Sequence, residues 1–114
     1  MKSESPRNKD PKLIPLKDWD FFILEMLEME DYPLSREFIF RKARNRVKFL
    51  NLEVTDKQLY NKISRSLTKL INNRKQLQRY KYSGYGYVYG LSSWFTLRGE
   101  LKKKYQEKLT PENF

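Results

Sequence analysis

The run Thr55-Asp56-Lys57-Gln58-Leu59-Tyr60-Asn61-Lys62-Ile63-Ser64-Arg65-Ser66-Leu67-Thr68-Lys69-Leu70-Ile71-Asn72-Asn73 carries the marks of a helix from one end to the other. It opens on a capping-box pattern, with Thr55 at the N-cap and Gln58 three residues on, each able to satisfy a backbone N–H of the other. Leu59, Ile63, Leu67, Leu70 and Ile71 recur at helical spacing and predict one buried stripe. Asn72-Asn73 marks the end, asparagine being tolerant of left-handed backbone. At about 100° per residue the opposite face holds Gln58, Asn61, Lys62, Arg65, Thr68, Lys69 and Asn72. After Asp56 that face carries no carboxylate.

Upstream, Trp19, Phe22, Ile23, Met26 and Leu27 predict a first helix from about Asp18 to Glu30. Asp18 suits its N-cap, and Asp31-Tyr32-Pro33 its stop, because proline disfavours a helical residue before it. Ser35 can cap a second helix, Arg36 to about Val47, with Phe38, Ile39, Ala43 and Val47 inward. Its outer side carries Arg36, Arg41, Lys42, Arg44 and Arg46. Phe49 to Val54 reads as a connector able to pair as an edge strand. Met1 to Pro15 is polar, with three prolines, and reads as a flexible lead-in or as a basic arm following a nucleic-acid groove.

Downstream the period changes. Leu77–Tyr82 and Tyr87–Leu91 read as two strands joined by Ser83-Gly84-Tyr85-Gly86, where glycine permits the positive φ of a hairpin turn. Pairing Tyr82 with Tyr87 sets Tyr80 opposite Tyr89 and Gln78 opposite Leu91. That register places the tyrosines on one face, with Arg79 and Lys81 on the other. A last helix is predicted from about Thr96 to Lys108, with Leu97, Leu101 and Tyr105 in line and Gly99 weakening it by about 1 kcal/mol. This stripe either packs back on the first helix or offers a homodimer seam. The expected organisation is a lead-in over 1–15, one domain over 16–110 and a tail over 111–114.

Three helices followed by a hairpin predict a mostly α, α+β domain: a winged helix-turn-helix with a three-helix core, a wing and a C-terminal helix. The run Asp31-Tyr32-Pro33-Leu34-Ser35-Arg36-Glu37 resembles the link between the first two helices of winged-helix domains. Gly86-Tyr87-Val88-Tyr89-Gly90-Leu91-Ser92-Ser93-Trp94 is similar to the wing exit of the HARE-HTH family, in which an aromatic-Gly-Leu strand precedes a Trp packed on the domain. The resemblance runs over roughly Leu16 to Phe95. It implies a module of DNA-processing or transcription assemblies, since that family's winged helices occur in restriction enzymes, chromatin regulators and an RNA polymerase accessory subunit.

Charge points to the same partner. The 114 residues carry a net +10, yet residues 18–32 hold Asp18, Asp20, Glu25, Glu28, Glu30 and Asp31 without a Lys or Arg. One element is acidic and the chain after it is strongly basic in balance, which suits a polyanion approached from one side. Arg pairs with guanine and Asn or Gln with adenine through two hydrogen bonds, while Lys and Thr suit phosphate. Double-stranded DNA is therefore the expected partner, read through the 55–72 face. Arg79, Lys81 and Tyr85 of the hairpin join it, with Arg41, Lys42 and Arg44 bracing the flanking backbone. Stacking of hairpin tyrosines on unpaired bases and a protein-interaction role for the same fold are the other readings.

Neither histidine nor cysteine is present. That removes the usual general base, the commonest metal ligand and any thiolate nucleophile, so no catalytic centre and no cofactor are expected. Gly84 and Gly86 do not lead into a helix, as a phosphate-cradling loop would. No apolar run nears the roughly 18 residues of a membrane span. A cytoplasmic location is expected, at the nucleoid if the protein is bacterial.

Overall fold

In the computed structural model residues 19–82 and 84–110 are described. The lead-in over 1–15, the Asp18 cap and the tail over 111–114 lie outside them. Helix α1 spans Trp19–Glu30 and buries Trp19, Phe22, Ile23, Met26 and Leu27, the predicted stripe. It stops before proline can act. Asp31 turns left-handed (φ 64°) and donates its N–H to Leu27 O at 2.8 Å, an αL cap two residues ahead of Pro33.

Strand β1 is only Leu34–Ser35. Ser35 then caps helix α2, Arg36–Phe49, its Oγ accepting from Phe38 N at 3.1 Å. The 49–54 connector does not form the expected edge strand: Phe49 closes α2, and 52–55 is irregular. The third strand is β1 instead. Helix α3 spans Asp56–Asn72 with both halves of its capping box made, Thr55 N to Gln58 Oε1 at 3.0 Å and Gln58 N to Thr55 Oγ1 at 3.1 Å. Its end falls where expected but by another device. Asn73 stays right-handed, and the left-handed residue is Lys75 (φ 58°).

A non-glycine residue in that region is strained by roughly 1–2 kcal/mol. Lys75→Gly is therefore expected to stabilise the fold, by about 0.5–1 kcal/mol once the extra unfolded-state entropy of glycine is set against the relief. A urea titration that shows no gain would count against the strain.

Strands β2, Leu77–Tyr82, and β3, Gly86–Leu91, complete an antiparallel sheet ordered β1-β3-β2. The hairpin register is one residue away from the predicted one: Tyr82 pairs with Gly86, Lys81 with Tyr87, Tyr80 with Val88, Arg79 with Tyr89 and Gln78 with Gly90. Such a slip exchanges the faces. Val88 is fully buried and a Cβ on Gly90 would lie 2.9 Å from Trp94 Cε3 on one face, while Leu77 and Tyr89 are buried on the other. The turn is correspondingly tighter, with Tyr85 N donating to Tyr82 O at 2.9 Å and Gly86 (φ 103°) already in β3.

The last helix is the largest departure. A 3-10 turn at Ser92–Trp94 leads to a bridge between Phe95 and Leu101, and helix α4 is only Lys103–Gln106. Gly99 adopts φ 85° within the intervening turn, where Thr96 N donates to Glu100 O at 2.7 Å. The expected stripe is thereby broken. Leu97 is exposed, whereas Leu101 and Tyr105 are buried in the chain's own core, Tyr105 stacking on Trp94 at 4.6 Å. No three-residue seam is left to carry the expected homodimer contact. Lys108 Nζ reaches back to Asp31, donating to its O at 3.0 Å and its Oδ2 at 2.9 Å. That bond holds the Asp31 carboxyl below the ordinary carboxylate range. The described residues thus form an α+β fold of four helices and one three-stranded sheet.

Candidate nucleic-acid interface

Burial of Leu59, Ile63, Ser66, Leu67 and Leu70 fixes the rotation of α3. All seven residues expected on its outer face, Gln58, Asn61, Lys62, Arg65, Thr68, Lys69 and Asn72, are exposed. Asn61, Arg65, Thr68 and Asn72 fall at i, i+4, i+7 and i+11 and form one ridge, about 16 Å long at the helical rise. Lys57, outside the predicted polar face, is exposed in the first turn, four residues before Asn61.

The structure divides these residues by what already engages them. Gln58 gives its carbonyl oxygen to the cap, which orients the carboxamide toward Thr55. Lys69 Nζ lies 2.7 Å from Asp20 Oδ2 of α1. Lys42 faces Glu30 at 3.9 Å, and Arg44 faces Asp56 at 3.7 Å. Arg44 also lies over the Phe40 ring, and Arg41 and Lys42 lie over Phe38. The cations of α2 thus cover half-buried aromatic rings on their own element, and Phe38, expected to face inward, is only half-buried. By contrast, Lys62 and Arg65 enter none of the ion pairs found among the described residues.

The corrected register matters most at the hairpin. Arg79 and Lys81 share the sheet face of Tyr87 and Tyr89, and Arg79 stacks on Tyr87 at 4.6 Å. Basic and aromatic groups therefore stand together, not on opposite faces. Tyr85 is exposed at the turn, its ring stacked on Tyr82 at 5.3 Å. Arg79 and Tyr89 meet Thr68 and Asn72 of α3 around a cleft, so hairpin and ridge form a continuous surface.

At that junction sits a residue that helical periodicity alone does not single out. Arg36, the first residue of α2, donates from Nη2 to Tyr89 Oη at 3.0 Å. A hydrogen bond with Tyr60 is the main reason its guanidinium is held above its ordinary pKa, Tyr89 acting in the same sense against burial. The sequence placed it with the basic residues on the outer side of the second helix, beside the cap Ser35, without pointing to this junction.

Among the described residues no three His, Cys, Asp or Glu side chains gather as a metal site, and no helix is long and apolar enough to cross a membrane. Neither a family model, nor a curated protein, nor a solved structure matches the chain.

Proposed function

We propose that the protein is a non-enzymatic, double-stranded-DNA-binding winged helix, with α3 in the major groove and the β2–β3 hairpin as the wing. The order α1-β1-α2-α3-β2-β3, with β1 beside β3, supports that architecture, since it sets a hairpin next to the outer face of the third helix. One observation carries the reading: the exposed ridge Asn61, Arg65, Thr68 and Asn72, flanked by Lys62, continues into Arg79 without an intervening carboxylate. Arg and Asn at helical spacing can reach base edges, and Thr and Lys can reach phosphates. B-form DNA is favoured over duplex RNA because A-form RNA closes its major groove to a helix. Regulation of transcription or of a mobile element is the role that suits such a module.

A second reading has its own support. Phe21 (63% exposed), Met29 (78%) and Phe49 (75%) present apolar surface, two of them on acidic α1 and the third at the end of α2. Such surface favours a protein contact there, which would make the domain part of a larger nucleic-acid-processing complex.

Fluorescence anisotropy of labelled duplex DNA, single-stranded DNA and duplex RNA, titrated from roughly 50 to 200 mM salt, tests the proposal. Duplex DNA is expected to bind best, with affinity falling steeply as salt rises. A preference for single strands would move the site to the hairpin tyrosines. Equally weak signals for all three polymers would refute the DNA reading and leave the protein contact.

A further inference from the structure

Arg36 is half-buried, and its surroundings leave its charge uncompensated. Its guanidinium is engaged by the hydroxyls of Tyr89 and Tyr60, neither of them a carboxylate. Its Nε is shut from solvent with no hydrogen-bond partner. None of the ion pairs found among the described residues includes it. A cation half withdrawn from water is unfavourable unless an opposite charge meets it. Lys42, Arg44 and Lys69 each face a carboxylate in this fold. Arg36 is held in place by tyrosines and faces a cleft.

That cleft, about 190 Å³, lies between α3 and the hairpin and is lined by Arg36, Arg79, Thr68, Asn72 and Tyr89 over a floor of Leu67 and Ile71. Its polar wall consists of two guanidinium groups, two hydroxyls and a carboxamide, with no carboxylate. Two planar forks of N–H donors beside neutral donors match the oxygens of a phosphate. The tyrosine hydroxyls fix the Arg36 fork in advance, so less side-chain freedom is lost when an anion arrives.

We infer that this cleft is a phosphate seat, with Arg36 as its fixed cation and Arg79, Thr68 and Asn72 as the donors that close on the same group. The source of the phosphate rests on the DNA reading above: Thr68 and Asn72 belong to the α3 ridge, so a backbone phosphate beside the groove that α3 enters falls within their reach. A free phosphate or nucleotide would present the same oxygens.

The test uses the full chain and three variants, Arg36→Gln, Arg36→Lys and Arg79→Gln, with thermal unfolding recorded for each. In duplex titrations over salt, Arg36→Gln and Arg79→Gln are each expected to reduce the slope of log affinity against log salt by about one, the signature of a lost phosphate contact. Arg36→Lys keeps the charge and should restore most of the slope. In parallel, inorganic phosphate is expected to raise the wild-type melting temperature above a chloride control of equal ionic strength, and not that of Arg36→Gln. If Arg36→Gln fails to fold, Arg79→Gln decides. A full wild-type slope that neither glutamine variant alters, with no phosphate-specific stabilisation, overturns the seat and leaves the DNA reading standing. Phosphate-specific, Arg36-dependent stabilisation without duplex binding keeps the seat, assigns it to a small phosphate ligand and removes DNA as its source.

Discussion

Arg65→Glu is expected to lower duplex-DNA affinity by about a hundredfold or more at physiological salt while leaving the melting temperature unchanged. Losing a bidentate arginine contact alone costs about 1–3 kcal/mol, and a carboxylate in its place adds repulsion from the phosphates. Stability is spared because Arg65 is exposed on the ridge and enters no ion pair found among the described residues. Lys69→Glu, four residues on, makes the control. There the new carboxylate would stand where Nζ now lies 2.7 Å from Asp20 Oδ2, so like charges would face each other across the α1–α3 contact. That variant should lose stability as well as binding, whereas Arg65→Glu loses binding alone. Anisotropy and urea titrations of the two proteins separate these outcomes. Undiminished duplex binding by folded Arg65→Glu would remove α3 as the reading element.

What the sequence made legible, and what it did not, follows from how each signal is written. Thr55 and Gln58 announce a cap by local chemistry alone, and the Leu59-to-Leu70 stripe sets the rotation of α3, so the exposed ridge could be read directly. Strand β1 could not, because two residues, Leu34 and Ser35, display no period. The hairpin register was underdetermined for a related reason: Tyr87, Tyr89 and Leu91 alternate with Val88 along β3, and both faces hold buried residues, so alternation does not single out one buried side. Trp94, which packs on Gly90, lies beyond the strand. At Leu97, Leu101 and Tyr105 the spacing imitates a helix, but Gly99 at φ 85° turns the chain, and Leu101 returns to pair with Phe95. Arg36 escaped because its partners, Tyr60 and Tyr89, are distant in sequence and come together only once α3 and β3 are placed.

The same Gly90–Trp94 contact supports the second large effect. The Trp94 indole packs on the bare Cα side of Gly90 and stacks on the Tyr105 ring, 4.6 Å away and 18° from parallel. It closes the core where the sheet meets the C-terminal segment. Trp94→Ala is expected to cost about 3–5 kcal/mol by opening a cavity there, a large share of the stability of a domain this size. Gly90→Ala places a Cβ 2.9 Å from Trp94 Cε3 and 3.3 Å from Phe95 Cε1, and is expected to cost about 1–3 kcal/mol by overpacking. The informative protein is the double variant. With the indole gone, only the Phe95 Cε1 contact at 3.3 Å remains, so Gly90→Ala should cost clearly less in the Trp94→Ala background. Urea titrations of the four proteins measure that coupling. Simple additivity would mean that Gly90 is required by its backbone and not by the ring above it.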